Sequence, residues 1–236
     1  MQHFKTLFVA FVLSCIMTPK LSQAQATYAT PVEYMNDISK ALDIVQQNLW
    51  EYTNAVSHNK NARKIEKRRL EIVEAIKSSK TYVWKMPSWK GDKALRDSAY
   101  SFLKISYAVI TEDYSKLVDM EDVAEQSYDA MEAYILAKQL AYNKQDTSLK
   151  MLNAQYKIFA AKNNIILNDS KDKTAQKLEA AGKVYDYYNK VYLIFFKSMK
   201  QEVYVMDALN KNNVSSLKQN SDALSKYSAD GLLKID

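Results

Sequence analysis

The chain has 236 residues, with 33 Lys and Arg against 27 Asp and Glu, and only one cysteine, two histidines, three glycines and three prolines. The net charge of +6 is far from the clustered excess of a nucleic-acid binder. So few Cys, His and Gly exclude disulfide frameworks, zinc clusters and glycine-rich phosphate loops, while abundant Ala, Lys, Leu, Glu and Gln point to helix.

Residues 1–26 read as a secretory signal. His3 and Lys5 precede an uncharged run, Leu7 to Met17, and "TPKLSQAQA" then offers small-x-small cleavage sites ending at Ala24 and Ala26. Eleven apolar residues rise only about 16 Å as a helix, against a hydrocarbon core of about 30 Å. The run is therefore too short to span a bilayer. A lipid anchor on Cys15 is the rival reading, since "VLSC" has an acceptable Ser14. The bulky Leu13 and the shortened apolar run disfavour it. Cleavage after Ala26 removes Lys5 and Lys20, lowers the net charge from +6 to +4, and leaves residues 27–236 as one domain without cysteine.

Thr30-Pro31-Val32-Glu33 predicts a capping box with proline at the first helical position. Ile38, Leu42, Val45, Leu49, Tyr52 and Val56 then mark one stripe of a packed helix. "SHNKN" (57–61) interrupts it, and Ile65, Ile72, Val73, Ile76 and Val83 resume it. "WKMPSWKGD" (84–92) is the clearest loop, with Asp92 placed to cap the next helix. Leu95, Phe102, Ile105, Val109 and Leu117 line that helix. The acidic "DMED" from Asp119 suits the start of another, with a face of Ala124, Tyr128, Met131, Ile135, Leu149, Leu152, Tyr156 and Phe159. Whether "NKQDTS" (143–148) breaks this helix stays open. After a turn at 163–172 comes the strongest pattern in the chain: Leu178, Ala181, Tyr185, Tyr188, Tyr192, Phe195, Met199, Met206 and Leu209. "NKNN" (210–213) ends it, and a short helix follows through Leu224 and Tyr227. No strand alternation and no repeat period occurs. The expected fold is all-α, an elongated antiparallel bundle of about four long helices, some broken, with a short C-terminal helix.

Chemistry is constrained by what is missing. Once the signal is removed, His58 is the one histidine. That rules out a ferritin-like di-metal site, a zinc site, a c-type haem and a Ser-His or Cys-His nucleophile pair, apart from whatever His58 alone could serve. No pair of carboxylates is singled out. The expected protein is not an enzyme and uses no cofactor or metal. The basic run "KNARKIEKRR" (60–69) is expected to be neutralised across a hairpin by Glu112, Asp113, Asp119, Glu121, Asp122 and Glu125, rather than to form a free patch for an anionic partner. Trp84, Met86 and Trp89 crowd one loop, either capping the core or forming a contact site. The Tyr185, Tyr188, Tyr192, Phe195 stripe is expected in the core. Tyr187, Phe196 and Tyr204 fall off it and are candidates for a partner-facing surface.

The segments "MEDVAEQSYDAMEAYILA" (120–137), "FAAKNNIIL" (159–167) and "VYLIFFKSMKQEVYVMDALNKNN" (191–213) resemble an uncharacterised family of exported bacterial helical surface proteins. The resemblance implies export and a bundle, and it implies no mechanism. The sequence thus leads to an exported periplasmic or cell-surface protein without a transmembrane segment after signal cleavage. It would bind a protein or envelope component and no nucleic acid. The alternative is a small-ligand carrier or sensor with an apolar slot between helices.

Overall fold

The computed structural model describes residues 28–58, 61–167 and 173–235; the expected signal segment and Cys15 lie outside them. The described chain is all-helical: α1 Pro31–Ser57, α2 Ala62–Lys85, α3 Ala94–Ala108, a π-helical turn Val109–Asp113, α4 Tyr114–Ala124, α5 Tyr128–Lys162, α6 Lys173–Asn210 and α7 Val214–Leu232.

Local chemistry sets these boundaries. Thr30 accepts from the Glu33 amide while the Glu33 carboxylate accepts from the Thr30 amide, so the capping box is complete, and Pro31 stands where no donor is needed. Asn61, Ser127 and Asn213 cap α2, α5 and α7 through their side-chain oxygens. Both α5 and α6 end on an asparagine in the left-handed region, Asn164 at φ 52° and Asn212 at φ 52°. In each case the next amide reaches back to the carbonyl five residues earlier, Ile165 to Ala160 and Asn213 to Ala208, which satisfies carbonyls the helix leaves open.

One expected boundary is corrected, one left open is decided, and one is found where expected. "DMED" does not start a helix, because α3, the π turn and α4 run on without a break, and the next start is the Ser127 cap. Ser106 and Thr111 donate back to the Phe102 and Tyr107 carbonyls at this turn, side-chain bonds that bend helices. "NKQDTS" lies inside α5, and "SHNKN" separates two antiparallel helices.

Cross-helix bonds fix the directions. Tyr82 donates to Asp37, Ser79 to the Ala41 carbonyl, and Arg68 pairs with Glu51 at 3.3 Å, so α1 and α2 run antiparallel. Gln145 donates to Ser106 while Lys144 pairs with Asp113 and Lys162 with Asp92, which sets α5 antiparallel to α3. The main core joins these helices through Tyr34, Ile38, Ile72, Ile76, Leu95, Leu103, Leu152 and Phe159. α6 begins beside the second half of α1, where Lys177 lies over Trp50 and Tyr185 bonds Ser57. It continues to a second, smaller cluster in which Phe196 meets Ala124 and Met131. α7 folds back along α6, with Gln201 donating to Asn220 and Gly231 seated against Ile194.

The basic run is not neutralised as expected. Its ion pairs among the described residues are Arg68 with Glu51 and Glu71, Arg69 with Glu66, and Lys67 with Glu71. Asp113, at the end of the π turn, turns instead to Lys144 of α5, and α4 beyond it packs on α5. Val56 and Leu149, expected on core stripes, are exposed.

Candidate functional site

The "WKMPSWKGD" loop divides its three large side chains. Pro87 and the left-handed pair Lys90 and Gly91, at φ 48° and 89°, turn the chain between α2 and α3, while Trp89 and Asp92 exchange two backbone hydrogen bonds. Two successive positive φ values fit a tight turn closed by glycine. This turn drives Met86 and Trp89 inward, where both are buried. The Trp89 indole N–H donates to Asn163 at 2.9 Å and its ring lies 6.2 Å from that of Tyr34. Both residues close the end of the core. Trp84 is 58% exposed and rests on Tyr100, ring centroids 4.9 Å apart, with the Arg96 guanidinium 5.7 Å from its ring.

The expectation for α6 holds at Tyr187 and Tyr204, which are exposed, and fails at Phe196 and along most of the stripe. Phe196, placed on a partner-facing surface by its position off the stripe, is 1% exposed and anchors α6 to α4 and α5. Tyr185, Tyr188, Phe195, Met199, Met206 and Leu209, expected in the core, are exposed. The physical reason is which neighbours are present. α7 takes the side of α6 carrying Ile194 and Gln201, and α4 and α5 take the side carrying Phe196, so the most regular apolar stripe is left outward. Tyr187 and Tyr204 are also exposed, Tyr187 beside this outward face and Tyr204 away from it.

Seen down the helix at about 100° per residue, Val184, Tyr188, Val191, Phe195, Met199, Glu202 and Met206 share one sector. Glu202 is its only charged member. The ion pairs of α6, Lys183 with Glu179, Lys190 with Asp186 and Lys211 with Asp207, point elsewhere and keep that side solvated. Tyr188 and Tyr192 stack with ring centroids 5.6 Å apart, and Tyr192 continues to Phe196 at 5.7 Å. The exposed face is thereby braced from the small core behind it. Burial pushes the Tyr192 phenol up, with the Glu125 carboxylate adding to the shift. Nearby, burial pulls the Lys138 ammonium down while Glu121 opposes it.

Among the described residues, no group of three or more His, Cys, Asp or Glu could hold a metal ion. Two open depressions lie on the surface, one along α2 from Asn61 to Glu74 and one between α1 and Thr174. No described helix is long and apolar enough to cross a membrane. The signal in the sequence that could have found the outward face was the stripe itself, whose regularity does not say what covers it. No family model, curated protein or solved structure is significantly similar to the chain.

Proposed function

We propose that the chain is an exported, non-enzymatic helical scaffold that acts by binding a protein or envelope component at the periplasm or cell surface. In this reading α1, α2, the α3–α4 run and α5 form an elongated antiparallel bundle, and α6–α7 carry the contact surface. The observation that supports it most is the outward face of α6. Its exposed side chains, roughly half to two-thirds in water, offer roughly 500 Å² of apolar surface at ordinary side-chain areas. The largest apolar patch of a typical monomer is about 300–600 Å² and often functional. The alternative, a carrier with an apolar slot between helices, has less support, because the interhelical space is filled by the core side chains.

The test is retention of a partner from envelope extract by the purified chain, compared with a Phe195→Lys variant. Binding that depends on Phe195 supports the proposal. Equal retention by both forms, or by neither, counts against the α6 face.

A further inference from the structure

We propose that the occupant of the α6 face is a second copy of this chain, docked antiparallel across a two-fold axis at Phe195. The inference rests on the preceding reading of α6 as a binding surface, and names its partner.

Three observations carry it. The first is register. The sector residues Val184, Tyr188, Val191, Phe195, Met199, Glu202 and Met206, all exposed except the half-buried Val191, are spaced symmetrically about Phe195, with steps of four, three and four in each direction. A two-fold axis perpendicular to α6 at Phe195 brings Val184 opposite Met206, Tyr188 opposite Glu202, Val191 opposite Met199, and Phe195 opposite its own copy. Such self-complementarity is what an isologous interface requires.

The second is polarity. Glu202 is the one charge on the face, and it makes no ion pair or hydrogen bond among the described residues; the Tyr188 hydroxyl makes none either. The proposed register sets these two opposite each other twice, each phenol donating to a carboxylate of the partner copy. A lipid surface fits worse. Anionic headgroups attract lysine and arginine at the edge of an inserted face, and this face presents a lone carboxylate.

The third is area. The roughly 500 Å² offered by each copy gives about 1,000 Å² in all, the size at which a specific interface begins.

Sedimentation equilibrium of the purified chain tests the proposal, with particles of twice 27.1 kDa expected. Phe195→Lys is expected to weaken association at least a hundredfold while helicity by circular dichroism stays unchanged. Register is read by disulfides in a Cys15→Ser background. Phe195→Cys is expected to cross-link to itself on oxidation. Tyr188→Cys alone is not, because its copies stand about 21 Å apart along the axis, beyond disulfide reach, but it is expected to join Glu202→Cys in a mixture. A monomer at high concentration overturns the second-copy proposal. So does a dimer that ignores Phe195→Lys and does not cross-link at 195. If that monomer binds vesicles or an envelope protein through Phe195, the binding face stands and only the self-association falls. If Phe195→Lys changes no association of any kind, both fall.

Discussion

Two adjacent phenylalanines should behave as different residues. Phe196 is 1% exposed and Phe195 is 61% exposed, because one step along a helix turns the side chain by about 100°. Phe196→Ala removes a ring packed on Ala124, Met131 and the Tyr192 ring, and buried Phe→Ala substitutions cost about 3–5 kcal/mol. Phe195→Ala removes a ring that is mostly in water, so in dilute solution it should change stability by less than about 0.5 kcal/mol.

The loss at Phe196 should also be local. Its cluster shares no buried residue with the main core around Tyr34, Ile38 and Leu103. A destabilised cluster therefore opens as its own unit, at a free energy below global unfolding. Urea denaturation gives the size and hydrogen exchange gives the place. Amides of α6 and the first turns of α5 should lose protection in Phe196→Ala, while those around Ile38, Ile72 and Leu103 keep theirs. Measurement at low and high protein concentration separates any contribution of association at Phe195. Equal losses for the two variants in dilute solution, or a larger one for Phe195→Ala, would falsify the orientation of α6 and require it to be rotated about its axis.

Four further outcomes follow from the packing. The Tyr34 hydroxyl is buried without a hydrogen-bond partner, and a buried unmet polar group costs about 1–3 kcal/mol, so Tyr34→Phe should raise the urea midpoint; a clear drop would show that the hydroxyl is bonded after all. Trp89→Phe should cost about 1 kcal/mol for the lost bond to Asn163, whereas Trp84→Ala, at an exposed site, should cost less than Trp89→Ala by at least ~2 kcal/mol in the same assay. A Cβ at Gly231 would stand 2.8 Å from the Ile194 Cγ2 methyl, so Gly231→Ala should force α7 away from α6 at a cost of about 1–3 kcal/mol, seen as faster exchange in α7 with α1–α3 unchanged. Burial pushes the phenols of Tyr34, Tyr134 and Tyr156 up to about 12, and the hydrogen bond to Asp37 does the same for Tyr82. The folded chain thus keeps protons that the unfolded chain releases near pH 10, and the stability present below pH 10 is lost as pH rises toward 12. Absorbance at 295 nm and helicity should change together in that window, and full phenol ionisation near pH 10 with helicity intact would count against it.

What could be read from the residues was mostly what single side chains decide. Thr30-Pro31-Val32-Glu33 contains every atom its capping box needs, and the Lys90-Gly91 turn needs only a residue tolerant of positive φ. Competition between signals was not legible. "DMED" carries favourable charge for a helix start, worth about 0.3–1 kcal/mol, but the Ser127 side chain caps the N–H of Ala130 directly, and the start falls there. "NKQDTS" resembles a break by composition, yet Gln145 and Lys144 are tied to α3 and the π turn, and those tertiary bonds carry the helix through. The basic run was matched to the wrong acids because ion pairing follows which helices become neighbours. A short reach within α2 or across to Glu51 was available once α1 and α2 paired.

The stripe on α6 shows where such reading stops in principle. Apolar spacing of three and four records that a face gains by leaving water, since each buried Å² returns about 25 cal/mol. It is silent on whether the covering surface belongs to the same chain. α1 and α2 cover their stripes with each other; α6 spends two other sides on α7 and on the α4–α5 pair, and its most regular side has no intramolecular cover. A face so regular that it was expected in the core, yet left outward after every described helix has packed, has the composition of an interior. The same feature that made Phe195 look like a core residue makes it the residue on which an intermolecular contact should turn, and Phe196 beside it the one on which the fold of α6 depends.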